Sequence, residues 1–116
     1  MLVGDAAHVN NPVGALGLNG GLQDAANLAE KLGRVWRGAA DDGLMDQYER
    51  QRRTTSVESI QADSIRNKRL LEETDPLVRT ARLDEIRSIA ADRTQAREYL
   101  LKSSMIASVR QSNAIP

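Results

Sequence analysis

A chain of 116 residues has room for one small domain with a core of its own. Sixteen basic residues balance sixteen acidic ones, so no net field draws it to nucleic acid or to an anionic membrane. With no cysteine there are no disulfides and no thiolate chemistry, a structural zinc site is disfavoured, and one Trp, two Tyr and no Phe leave few aromatic anchors.

Met1–Val3 are apolar and run straight into Gly4-Asp5, which reads as the end of a buried strand. Residues 6–19 form a loop punctuated by Asn10-Asn11-Pro12, Gly14 and Gly17. Asn19 is the expected N-cap of a first helix, whose apolar face carries Leu22, Ala25, Ala26, Ala29, Leu32 and Trp36 and which ends at Gly38. A second helix opens near Asp42 or Gly43. No Gly or Pro interrupts residues 44–75, so it is expected to be long, with a kink near Thr54-Thr55-Ser56 and a thin stripe of Val57, Ile60, Ile65, Leu70 and Leu71. Asp75-Pro76 breaks it, and a third helix is expected from Pro76 to Ala91, burying Leu83, Ile86, Ile89 and Ala90. A fourth starts after Asp92 with Ala96, Tyr99, Leu100 and Ile106, and the tail from Arg110 should fray. The fold expected is mainly α: a strand stub, a Gly-rich loop and about four helices, divided into 1–38 and 39–116.

The start lacks the basic and long apolar runs of a signal peptide, and nothing later is long enough to span a bilayer; a cytoplasmic protein with no membrane partner is expected. The basic runs at 49–53 and 66–69 are interleaved with acids and lack stacking aromatics, so they read as solvated helix faces and no nucleic acid is expected. His8, with no second His or Cys to share a metal, reads as a packed loop residue, and no metal is expected.

A glycine-rich loop feeding a helix N-terminus is a potential anion or dipole site. The first N–H groups of a helix lack internal partners, and the macrodipole adds partial positive charge there. Gly14, Gly17, Gly20 and Gly21 leave no Cβ in a ligand's way, and Asp5 can accept hydrogen bonds from hydroxyl groups. Neither the Gly-Lys-Ser/Thr phosphate loop nor the strand-linked G-x-G-x-x-G pattern is present. Asp5 serves equally as a turn cap, Asn19 as a plain helix cap, Gly20 and Gly21 as close-packing positions, and Asp24 as a first-turn carboxylate.

Taken together, Gly4-Asp5-Ala6-Ala7-His8, Pro12, Gly14, Gly17, Asn19, Gly21 and Asp24 closely resemble the second flavin-binding motif of the FAD-dependent aromatic hydroxylases of the para-hydroxybenzoate hydroxylase type. The segments at 24–32 and 48–53 also resemble the stretches downstream of the motif in that family. The likeness spans most of the chain, with its specificity in residues 4–28. Ala15 and Leu16 stand where many members carry Gly and a polar or flexible residue. The resemblance implies the C-terminal part of an α/β, Rossmann-like FAD-binding monooxygenase fold. It also implies FAD as cofactor, NAD(P)H as reductant and a small aromatic, usually phenolic, substrate. It places Asp5 of the Gly4-Asp5 pair against the ribityl chain, the backbone of Gly17, Leu18 and Asn19 against the pyrimidine end of the isoalloxazine, and Pro12 beside flavin and substrate, with Gly14 in the same loop. No residue here matches a pyrophosphate-binding arginine or a substrate-activating group, so the catalytic residues stay unassigned. An N-terminal dinucleotide-binding and substrate-binding portion is expected elsewhere, in the same chain or in trans.

Two other functions stay open at this point. One is a non-catalytic helical interaction module that kept the motif as scaffold. The other is an FAD oxidoreductase of the same fold that does not hydroxylate, such as a dehydrogenase or halogenase.

Overall fold

A computed structural model describes all 116 residues, as six α-helices, one 3₁₀ turn and one π-helical segment, with no strand. Val3 is extended, at φ −139° and ψ 140°, yet Met1–Val3 pair with no neighbouring backbone. The strand expected there has a strand's conformation without a ladder. Gly4–Ala6 then turn through a 3₁₀ helix, with Gly4 at φ 59°.

Helix α1 spans Leu16–Trp36 and starts earlier than its sequence suggests. Ala15 N–H is held by Pro12 O at 3.0 Å, and Ala15 itself takes the left-handed conformation, φ 55°, as N-cap. Asn19 is therefore inside the helix, donating its Nδ2 amide back to Ala15 O at 3.2 Å rather than capping. The other end closes at Gly38, φ 67°, where Ala39 N–H reaches Arg34 O and Gly38 N–H reaches Val35 O, both 2.9 Å. Only glycine adopts that geometry without strain.

The face of α1 is reversed from expectation. Leu16, Gly20, Asp24 and Lys31 are buried, while Leu22, Leu32 and Trp36 are exposed, Trp36 at 88%. Ala25, Ala26 and Ala29 lie outward as well. The reason is polar matching with the next helix: Gln51 Oε1 accepts from Lys31 Nζ at 2.9 Å and Asn27 Nδ2 at 3.0 Å, and Asp24 bonds to Arg52. Side chains that satisfy one another fix the packed face here.

Helix α2 (Gly43–Thr55), a π-helical segment (Ser56–Gln61) and α3 (Ala62–Glu72) form one continuous rod, so the long helix and its irregularity near Ser56 are both found. Tyr48, Arg52, Ser56, Ile60 and Ser64 are buried in a line along it. Helix α4 runs Pro76–Ala91, with Asp75 accepting from Leu77 N–H at 2.8 Å. It packs along α5 (Arg93–Ser103), which Asp92 caps through Thr94 and Gln95 N–H. With α5 as its chief neighbour, α4 leaves Leu83 53% and Ile86 40% exposed, Ala90 exposed and Ile89 half-buried; the expected burial is not reached.

Met105 interrupts the expected fourth helix at φ 62°, and α6 (Ile106–Asn113) folds back onto α2. The tail does not fray. Ser112 is sealed, Ile115 O accepts from Gln51 Nε2 at 2.7 Å, and Pro116 O accepts from Arg50 Nε at 3.1 Å. The apolar core is small: Leu16, Ile60 and Met105. The body measures 58 × 30 × 17 Å, and a thickness of 17 Å is under two helix diameters, so few side chains can be enclosed. No helix is long and apolar enough to cross a membrane.

Candidate functional site

Asp24 organises the loop. It is fully buried on α1, and its Oδ2 accepts from Gly4 N–H at 3.1 Å and contacts His8 Nε2 at 2.6 Å. Its Oδ1 accepts from Arg52 Nε at 2.6 Å. Arg52, 5% exposed, also points toward Gly20 O and Gln23 Oε1 at 3.5 and 3.4 Å. A buried carboxylate with three donors is satisfied, and charge-assisted bonds are the strong ones. The Gly4–His8 turn is thus lashed to α1, and α1 to α2. His8 is the packed, bonded loop residue expected.

Close backbone approach completes the lashing. A Cβ at Gly21 would lie 3.2 Å from Gly4 Cα, and a Cβ at Gly20 only 2.6 Å from Ile60 Cδ1. These two glycines let the turn and the rod seat against α1.

Asp5 stands apart from this packing. It is exposed, and its carboxylate makes no ion pair or hydrogen bond. A Cβ at Gly17 would lie 3.9 Å from Asp5 Oδ1 and 3.7 Å from Asn10 Cβ, so Asp5 and Asn10 flank the same point of the first turn of α1. No side chain caps that helix end, which leaves the N–H groups of Leu16, Gly17 and Leu18 without intrahelical partners. Asn10, whose Cβ lies near Gly17, keeps its Nδ2 buried with no hydrogen-bond partner. An unpaired carboxylate, free N–H groups and a glycine that leaves room together fit a ligand carrying hydroxyl donors and carbonyl acceptors. FAD has both.

The other expected residues are placed differently. Gly4 belongs to the Asp24 lashing. Pro12 and Gly14 are exposed in a stretch anchored on α3: Asn11 O accepts from Ser64 Oγ at 3.4 Å, and a Cβ at Gly14, φ 88°, would meet Asn67 Nδ2 at 2.8 Å. Leu18 and Asn19 are exposed on the first turn of α1. A hollow of about 460 Å³ opens behind the Asp24 cluster, among Leu2, His8, Met45, Tyr48 and Arg52, and contains none of the seven expected binding residues. Tyr48 O–H donates to Leu2 O there at 2.8 Å, and burial, aided by the charge of Asp24, pushes its phenol above the ordinary 10.0. No three His, Cys, Asp or Glu side chains lie together as metal ligands.

Sequence reasoning misses Arg52. It belongs to a run that reads as a solvated face, and its neighbour Arg53 is indeed exposed beside Glu49. The one signal in the chain is its place four residues after Tyr48, on the same helical face. Asn10 reads in the sequence only as turn punctuation.

A family model described as "FAD binding domain" matches residues 1–63. Tetracenomycin B2 monooxygenase-dioxygenase of Streptomyces olivaceus is 40% identical over 115 residues, covering 99% of this chain and 20% of that protein. Para-nitrophenol 4-monooxygenase of Pseudomonas sp. (strain WBC-3) is 37% identical over 101 residues, 87% of this chain and 25% of that protein. Rifampicin monooxygenase of Rhodococcus hoagii is 48% identical over 59 residues, 51% of this chain and 12% of that protein. The chain thus spans a quarter or less of the length of these relatives. No solved structure matches.

Proposed function

Because the chain belongs to the FAD-binding family of flavin-dependent aromatic monooxygenases, we propose that it forms the flavin-facing segment of an FAD- and NAD(P)H-dependent hydroxylase of small aromatic molecules. The observation that carries this reading is the free Asp5 carboxylate set against Gly17 at the uncapped start of α1.

In this reading Asp5 accepts hydrogen bonds from ribityl hydroxyls, and the N–H groups at Gly17 and Leu18, with the Asn19 backbone, line the pyrimidine edge. Gly4 and Gly14 shape the two sides of the loop, and Pro12 borders flavin and substrate. Bound FAD, reduced by NAD(P)H, supplies the oxygen-activating chemistry. The chain's own contribution is electrostatic and geometric: a helix N-terminus favours negative charge placed before it. Residues 1–38 act as the flavin-proximal unit and 39–116 as its helical support. The dinucleotide-binding and substrate-binding portions are supplied in the same chain or in trans. The relatives' names specify tetracenomycin B2, para-nitrophenol and rifampicin for those proteins, and an aromatic ring is the substrate feature taken over for this one.

The test is a titration of the purified chain with FAD, followed by fluorescence quenching and circular dichroism. Saturable binding that Asp5→Ala weakens supports the reading. Flavin indifference in a chain with intact helices overturns it.

A further inference from the structure

We propose that the outward face of α1, together with the extended Met1–Val3 segment beside it, is the docking surface for the β-sheet of the dinucleotide-binding portion. The proposal rests on the flavin reading above for the identity of that occupant, and it names where on this chain the occupant sits.

Helix α1 has two faces built for packing, and the chain covers one. Leu18, Leu22, Ala25, Ala29, Leu32 and Trp36 recur at alternating spacings of four and three. At about 100° per residue they fall within about 80° of one another, on the side away from Leu16, Gly20, Asp24 and Lys31. All six are exposed, Leu18 at 72%, Leu22 at 62% and Leu32 at 50%. A single exposed leucine is ordinary, but a contiguous apolar stripe about 27 Å long marks an interaction surface.

The extended segment says what kind of layer meets that stripe. Gly4 Cα lies 3.2 Å from the Cβ position of Gly21, and Gly21 neighbours Leu18, Leu22 and Ala25 on the helix surface, so Met1–Val3 ends at the rim of the stripe. Val3 has a strand's dihedrals, Met1 and Leu2 are 69% and 61% exposed, and Leu2 O is held by a side chain, Tyr48 O–H, rather than by a ladder. A strand without a ladder and a helix face without a cover are completed together by one layer, a sheet that takes in Met1–Val3 and lies over α1. A second copy laid helix against helix would cover the stripe and leave the segment unpaired. The chain holds no strand from which to build that sheet, while α1 lies wholly within the 1–63 region matched as an FAD binding domain. The relative that aligns with 99% of this chain devotes only 20% of its own length to the match, which leaves room for such a sheet.

The experiment co-expresses the tagged 116-residue chain with the Streptomyces olivaceus tetracenomycin B2 monooxygenase-dioxygenase from which the aligned segment has been removed. Capture of one by the other is measured first, then FAD uptake by the pair. Capture is expected, and Leu22→Glu and Leu32→Glu should each weaken it by roughly tenfold or more, because each sets a charge against the sheet. Leu71→Glu, at a leucine 73% exposed on α3, should change it less than about twofold. All three positions are exposed, so the circular dichroism of the variants should match wild type. Capture by Leu22→Glu and Leu32→Glu as strong as wild type, or no capture by wild type, overturns the proposal. So does a wild-type chain that self-associates in sedimentation equilibrium and becomes monomeric in Leu22→Glu, because a second copy then owns the stripe. Capture that depends on Leu22 but brings no FAD uptake leaves the surface and removes the flavin reading. FAD uptake by a pair insensitive to both substitutions does the reverse.

Discussion

Asp24 on α1 and Arg52 on α2 meet at 2.6 Å with both side chains 5% exposed or less. A buried pair is hard to break, because either partner alone leaves an uncompensated charge. Asp24→Asn or Arg52→Met should cost roughly 3–5 kcal/mol in urea unfolding. The double variant Asp24→Asn/Arg52→Met should lose less than the two single losses together, with a coupling of about 1–3 kcal/mol. Additive losses would show that the two side chains stabilise the chain independently.

Asp5 differs from Asp24 in having nothing to hold. Asp5→Ala should leave the unfolding free energy within the small range of surface substitutions, about 0.5 kcal/mol either way, and the melting temperature near its wild-type value. Flavin affinity should fall by about ten- to a hundredfold, the loss expected when a charged acceptor is removed. A melting temperature that drops along with affinity would mean that Asp5 is part of the scaffold.

Adjacent glycines separate two kinds of damage. Gly20→Ala places a Cβ 2.6 Å from Ile60 Cδ1, and Ile60 is 1% exposed in the small core. Overpacking of about 1–3 kcal/mol outweighs a helix-propensity gain of about 1, so denaturation should show a net loss. Gly21→Ala meets Gly4 Cα at 3.2 Å, which moves the Gly4-Asp5 turn by a few tenths of an ångström. Stability should hold, through the same propensity gain, while flavin binding weakens.

Two buried groups shape alkaline stability in opposite senses. Burial lowers the Lys31 ammonium below its ordinary 10.5, with smaller contributions from Glu30 in the raising sense and from Arg34 and Arg52 in the lowering sense. The folded chain releases that proton before the unfolded chain does, so stability rises with pH from the lowered value to 10.5. The phenol of Tyr48 is raised above 10.0, so the folded chain keeps its proton longer and stability falls as pH climbs past 10.0. Urea midpoints measured from about pH 8 to about 11 should lose the rising limb in Lys31→Met and the falling limb in Tyr48→Phe.

Much of the helical layout is legible in the residues. Pro76 with Asp75 and Asp92 mark helix starts by capping chemistry, and Gly38 marks an end, because these signals act within one turn. The loop motif likewise points to Asp5 and Gly17, which the fold brings side by side. The inward face of α1 is not legible. Apolar periodicity selects Leu22, Leu32 and Trp36, whereas the packed face is chosen by Asp24, Lys31 and Gln51 satisfying their partners across twenty or more residues of chain. Nor does local sequence show Met105 turning α6 back onto α2, since nothing in a methionine side chain favours left-handed backbone. Asn10 is indistinguishable from Asn11 until their partners are seen.

The π-helical segment governs rotation along the rod. Residues four apart on an ordinary α-helix drift by about 40° per step, so five of them would fan across about 160°. Tyr48, Arg52, Ser56, Ile60 and Ser64 are nonetheless all buried, because the wider turn at Ser56–Gln61 winds less per residue and cancels part of that drift. The rod can therefore grip α1 at Arg52 and the glycine loop at Ser64 without bending between them. The loop that carries Asp5 is thus aimed, in part, by the angular setting of the helix that holds its far end.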